Sequence, residues 1–300
     1  MAKAGYVGVG SKARKLKKAY IGIGGKARKV KKMYIGVGGK ARLCYSAEAD
    51  KFGMAASLSK ARSLLAGTTV GGYALFGGGG YDSDAYKGEA IMDAYNASLT
   101  RTTATPLPSN AYACAGGTVG GYAVFSGGSS MNSDSTLVET IGALEIVRAY
   151  DSSLTSSQAA PLSCPRAVHS AATIGNHLLF AGGYNSTTGK YLSTVESYDA
   201  SLTRSTAVEL SSAKNGLASA TVGEYAMFAG GYKGDSDAAY VATVDAYNAA
   251  LTKTTMPDLS VGRHGLASAV IGDYALFAGG ISKISSTADK YQDVVDVYSA

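Results

Sequence analysis

The chain has 300 residues, 46% of them hydrophobic, with 39 Gly, 21 Tyr and no Trp. That mixture suits many short strands joined by tight turns rather than helices. No stretch reaches the roughly 18 apolar residues that cross a bilayer as a helix, and no secretion signal is recognisable near Met1. Cytoplasmic synthesis without membrane insertion is therefore expected. The net charge of +6 conceals two opposite parts. Thirteen of the 28 Lys and Arg lie in Met1–Ala47, which holds no acid, leaving fifteen bases against all 22 acids in the remainder.

The basic part is a repeat. Tyr6, Tyr20 and Tyr34 stand fourteen residues apart, and each opens a phrase of Tyr, β-branched residue, Gly, β-branched residue, Gly, Gly or Ser, and Lys-Ala-Arg, ending at Arg14, Arg28 and Arg42. Val7 and Val9, Ile21 and Ile23, and Ile35 and Val37 alternate with the strand period of two, and Gly24-Gly25 and Gly38-Gly39 can supply positive φ. Each unit is predicted to be a strand-turn-strand, which is marginal alone. Copies from other chains, wound into a stalk, would support it. Residues 1–45 are taken as this segment and 46–300 as a second domain.

The second domain repeats at longer range. "GGYALFGGGG", "GGYAVFSGG", "GNHLLFAGG", "GEYAMFAGG" and "GDYALFAGG" contain Gly78, Gly128, Gly183, Gly231 and Gly280, at spacings of 50, 55, 48 and 49. "AYNASLT", "AYDSSLT", "SYDASLT" and "AYNAALT" follow the first four, and "VYSA" the last. Such a period marks propeller blades. These copies resemble the kelch repeat family, whose unit ends its second strand on Gly-Gly, carries Tyr in the third, and commonly has Arg on the approach to the next first strand. Cys164–Gly183 is nearest to that pattern. The resemblance covers about Tyr45–Ala300 and implies a β-propeller without any particular activity. One departure recurs: Leu99, Leu154, Leu202 and Leu251 stand where kelch units usually have Trp.

The last copy contains three strands. Tyr45–Tyr73 aligns with Tyr247–Tyr274, which puts about Glu48–Ala55 at a fourth-strand position. The expected fold is an all-β, five-bladed kelch-like β-propeller closed by this N-terminal strand and preceded by the basic hairpin segment. The alternative is a ring with further blades.

Turns led by Gly71, Gly120, Gly175, Gly223 and Gly272 are uniform and read as type II′ hairpins. Loops on the opposite face differ in length and content. They bring Tyr81, Asp82, Asp84, Tyr86, Tyr184, Tyr191, Tyr232, Asp235, Asp237, Tyr240 and Tyr291 together with Arg62, Arg166, Lys214 and Arg263 from the blade lead-ins. Tyr offers a large amphipathic contact at low entropic cost, and Asp can orient sugar hydroxyls. The same residues are also ordinary turn chemistry. Asp82 with Asp84, or Asp235 with Asp237, falls short of the six to eight oxygens Ca²⁺ requires, so no metal is expected.

Nothing points to catalysis. His169, His177 and His264 replace residues of other types in the remaining copies, no GxSxG elbow or HExxH occurs, and no phosphate loop is present. Cys44, Cys114 and Cys164 are widely spaced and read as small buried hydrophobes. No enzyme activity and no cofactor are expected. The basic phrases resemble tail or fibre proteins of bacteriophages and prophages. This resemblance implies a virion protein, oligomeric and most simply trimeric through its repeats, touching other virion proteins and a host-surface glycan or protein. Two alternatives stand: basic repeats that bind nucleic acid, or a kelch-like adaptor between proteins.

Overall fold

The structure, a computed structural model, describes residues 6–9, 12–15, 20–23, 26–29, 32–37, 40–46, 55–80, 88–130, 142–234, 239–285 and 288–299. The chain divides into two compact units, Met1–Met54 and Ala55–Ala300. All regular structure among the described residues is β.

The first unit contains the three hairpins that the short repeat predicts. Tyr6–Val9 pairs with Lys12–Lys15, Tyr20–Ile23 with Lys26–Lys29, and Lys32–Val37 with Lys40–Ser46. Register places Val7 opposite Arg14, Ile21 opposite Arg28 and Ile35 opposite Arg42.

The second unit is a succession of antiparallel meanders. Blade 1 comprises Ala66–Val70, Tyr73–Gly77, Met92–Asn96 and Arg101–Thr103, and blade 2 comprises Ala115–Val119, Tyr122–Ser126, Val147–Tyr150 and Ser156–Gln158. Blade 3 runs through Ser170–Ile174, His177–Ala181, Val195–Tyr198 and Arg204–Ala207, and blade 4 through Ala218–Val222, Tyr225–Ala229, Val244–Tyr247 and Lys253–Met256. Blade 5 has three described strands in its sheet, Ala267–Ile271, Tyr274–Ala278 and Val295–Ser299.

Neighbouring blades stack through their apolar faces. Ala172, Ile174 and Leu179 of blade 3 meet Ala226, Phe228 and Tyr247 of blade 4 in one buried cluster, and equivalent residues build the other three interfaces. First strands are stitched by hydroxyls: Thr118, Thr173 and Thr221 each donate to the carbonyl of the matching residue one blade back, at 2.9, 2.6 and 2.8 Å. Inside each blade a Phe and a Tyr meet edge to face, at 5.7 to 5.9 Å between centroids. The Tyr hydroxyl donates to a carbonyl of that blade's lead-in, as Tyr247 does to Val208 at 2.8 Å. The Leu that replaces the kelch Trp takes positive φ, from 59° to 66°, after an Asn or Asp whose Oδ1 accepts two backbone N–H groups. Leu154, Leu202 and Leu251 pack against the interblade clusters.

The predicted closing strand, about Glu48–Ala55, lies outside the described residues apart from Ala55. Among the described residues, every residue of Ala267–Ile271 is exposed. The five Gly-led turns connect with two residues as predicted, and each leading Gly has φ between 53° and 57°. Blade 2 differs in type: Gly121 also has positive φ, 86°, which makes its turn I′ rather than II′.

Arg166 and Arg263 correct the sequence reading. Both are fully buried rather than displayed on the loop face. Each belongs to a charge cluster built in four of the five blades: Arg62 meets Asp93 at 3.0 Å, Arg166 meets Glu196 at 2.7 Å, Lys214 meets Asp245 at 3.4 Å and Arg263 meets Asp296 at 2.8 Å. The same carboxylates accept the backbone N–H of Ser59, Ser163, Ser211 and Ser260. A buried charge persists only when its lone pairs are filled in this way, so these cations tie the lead-in to the third strand. Blade 2 lacks the pair, with Ala111 at the cation's position and Arg148 at the carboxylate's.

Three measurements follow. Gly120→Ala forces φ of 55° on an L-residue and brings Cβ to 2.5 Å from Ala200, so a loss of at least about 1–2 kcal/mol is expected in denaturant unfolding. Gly72→Ala, where a Cβ meets nothing, should be near neutral. Glu196→Ala strands Arg166 and should cost about 3–5 kcal/mol. Burial pushes the Asp93 pKa up, but bonds from Ser59, Arg62 and Arg101 outweigh it and hold it below 3.8. Asp296 is lowered too, by bonds from Arg263 and Ser260 that outweigh burial. A carboxyl lowered on folding contributes stability above its unfolded pKa and loses it as pH falls through the folded value. The deficit of Asp93→Asn against wild type should therefore be full at neutral pH and shrink below about pH 4.

Candidate functional site

The Gly-Gly doublet that marks each second strand also launches the functional loop. At Gly231 φ is 120°, and a Cβ there would lie 2.9 Å from the Asn215 carbonyl oxygen. Only glycine permits both the turn and this close approach. The chain then doubles back: Tyr184 pairs with Tyr191, Tyr232 with Tyr240, and Ile281 with Tyr291. The first member of each pair also bridges to the lead-in, as Ala167 to Tyr184, Asn215 to Tyr232 and His264 to Ile281.

These pairings set aromatic rings side by side across three blades. Tyr184 and Tyr191 are 5.0 Å apart, Tyr191 and Tyr232 5.7 Å, Tyr232 and Tyr240 5.4 Å, and Tyr240 stacks on His264 at 5.2 Å with 29° between planes. All five are half-buried. Two of the contacts cross from one blade to the next, so the ladder depends on blade packing. The Tyr240 hydroxyl donates to Asp289 Oδ1 at 2.8 Å. Burial and this acceptor raise the Tyr240 pKa, keeping the hydroxyl a donor. Burial lowers the His264 pKa and favours the neutral ring.

Of the residues proposed from sequence, Tyr184, Tyr191, Tyr232 and Tyr240 come together here. Tyr291 lies on the blade 5 loop hairpin and is 81% exposed, outside the ladder. Tyr81, Asp82, Asp84, Tyr86, Asp235 and Asp237 fall outside the described residues. His264 was read as a variant of a structural position and is instead the ladder's last ring. The signal was its place directly after Arg263, in line with Asn215, the residue that bridges to Tyr232.

The other histidines serve packing. His169 is buried, its pKa pushed down to about 3 by burial, and its Nε2 lies 2.8 Å from Ser126 Oγ. His177 Nδ1 lies 2.9 Å from Ser197 Oγ. Among the described residues no group of His, Cys, Asp and Glu could hold a metal ion. Cys114 and Cys164 are free and half-buried.

At the ring axis five lead-in residues, Leu64, Ala113, Val168, Gly216 and Gly265, share φ of 53° to 64°. Each of the last four donates its N–H to the carbonyl of the one before, at 2.9 to 3.0 Å. They surround a cavity of about 290 Å³. Its lining is mainly aliphatic, and the polar ladder offers the richer chemistry.

Comparison with known proteins agrees with this architecture. The Kelch motif matches residues 165–201, the blade whose sequence lay nearest to the repeat pattern. No curated protein matches the chain in sequence. A solved structure titled "Structure of YjhT" superposes with a TM-score of 0.60 over 98% of each chain, at 14% identity, a level at which the fold alone is shared. The fold is that of a kelch-like β-propeller, with the motif explicit in blade 3.

Proposed function

We propose that this chain is a non-enzymatic recognition protein that holds its ligand on the aromatic ladder from Tyr184 to His264. The observation that carries this reading is the ladder itself: five half-buried rings, each within 6 Å of the next, run across three blades. Half-buried rings are already ordered, so a ligand stacking on them gives up little protein entropy. Hydroxyls, the His264 ring and the Asp289 carboxylate at the ladder's end supply polar contacts of the kind that orient a sugar or a peptide backbone. Against catalysis, neither Ser–His pair has a carboxylate hydrogen-bonded to its histidine among the described residues, and His169 is buried.

The wider setting is a virus particle of the bacteriophage tail or fibre type. The three basic hairpins attach or oligomerise the chain, and the loop face meets a glycan or protein on the host surface. Support comes from the division of labour in the chain: thirteen cations without an acid in Met1–Ala47, followed by an acidic β-rich unit. The same charge density favours nucleic acid as a second reading for the hairpins.

Binding of the full chain to an array of bacterial surface polysaccharides and to immobilised whole cells tests the reading. Tyr232→Ala, at the ladder's centre, should weaken capture roughly two- to tenfold while Tyr291→Ala leaves it unchanged, a single stacking contact being worth about 0.5–1.5 kcal/mol. Capture indifferent to Tyr232→Ala and Tyr240→Ala, or absent from both supports, would count against it. Salt-sensitive retention on duplex DNA would assign the hairpins to phosphate.

A further inference from the structure

The aromatic row has a definite length. Each loop hairpin offers two facing positions, and blades 3 and 4 fill both with Tyr, as Tyr184 with Tyr191 and Tyr232 with Tyr240. Blade 1 has Gly80 with Gly88 there, blade 2 has Ser129 with Ala143, and blade 5 has Ile281 with Tyr291. The rings are therefore confined to one sector of the loop face. Within it, steps of 5.0, 5.7 and 5.4 Å lead from Tyr184 through Tyr191 and Tyr232 to Tyr240. His264 shares the last place, 5.2 Å from Tyr240 and 5.7 Å from Tyr232. The row thus holds four successive stacking places across three blades.

We infer that the ligand of the ladder is a segment of polysaccharide chain, about four sugar units long, lying along the row from Tyr184 to His264. This rests on the reading of the ladder as the binding site and names what that site takes. One sugar presents a C–H face about as broad as one Tyr ring, so a monosaccharide would occupy one place and leave the others idle. A chain uses them all. Its hydroxyls need donors and acceptors at the rims of the rings, and the Tyr hydroxyls, the His264 ring and the Asp289 carboxylate are such groups. A peptide fits this row less well, because peptides that dock as strands require a free sheet edge. Tyr184 is bridged to Tyr191 on one side and to Ala167 on the other, and Tyr232 to Tyr240 and to Asn215. Both edges are already used.

The test is titration of the full chain with a length series, one to eight units, cut from the bacterial surface polysaccharide that it captures best on the array. Affinity should rise roughly two- to tenfold with each added unit up to about four, and then level off. Tyr184→Ala removes one end of the row and should weaken chains of four or more units roughly two- to tenfold, while two-unit fragments stay within about twofold. Unchanged melting would show intact folding, Tyr184→Leu replaces a variant that fails, and the wild-type series requires no variant at all. Equal affinity for one unit and eight, still weakened by Tyr232→Ala, overturns the chain and leaves the ladder as the site of a single sugar. Titration by peptides and by no member of the series overturns it in favour of a peptide. Binding of the series that Tyr232→Ala leaves untouched, or an array that captures nothing, removes the ladder reading and this inference with it.

Discussion

A four-stranded sheet has two faces and each must be covered, and the second unit of this protein is organised around that constraint. Each blade is too small to hide its own apolar residues, so it hides them against the next. The alternation along every strand follows: small and β-branched residues of one blade meet the Phe, Tyr and Leu of its neighbour. Covering the faces this way brings the first strands side by side, where Thr118, Thr173 and Thr221 lock them by hydroxyl to carbonyl bonds. The period of 48 to 55 residues in the sequence is the length of chain that one such covered sheet requires.

Charge is the second device, and it acts within blades. A carboxylate on the third strand, held at zero exposure in Asp93, Glu196 and Asp245, is met by the cation of its own blade's lead-in and by a backbone N–H three residues earlier. Such pairs add little over an apolar substitute yet are costly to break singly, which makes them devices of position more than of stability. What they position is the lead-in, and through it the residue that follows the cation. In blade 5 that residue is His264, the last ring of the ladder.

Much of the architecture was legible because it repeats. The Gly-Gly doublets, the third-strand Tyr and the Gly-led turns could be stacked by eye, and each has a physical task that tolerates few other residues. The hairpins of the first unit were legible from the alternation of Val and Ile with Gly. Arg166 and Arg263 were misread because a charged residue in a lead-in looks solvent-facing until the carboxylates of Glu196 and Asp296, about thirty residues downstream, are placed beside them. His264 was missed for a related reason: its stacking partner Tyr240 comes from the neighbouring blade, and cross-blade contacts have no local signature. The exposure of Ala267–Ile271 was equally hidden, since a sequence that repeats five times gives no sign of which copies find a neighbour.

The claim on which this account rests is that blades protect one another and that the first strand of blade 5 lacks such protection among the described residues. Native-state hydrogen exchange at low protein concentration measures this directly. The account predicts that Ala115–Val119, Ser170–Ile174 and Ala218–Val222 exchange slowly and together, while Ala267–Ile271 exchanges markedly faster. Equal, slow exchange of Ala267–Ile271 at the lowest concentration would show that the blade 5 face is covered within a single copy, and would contradict the account.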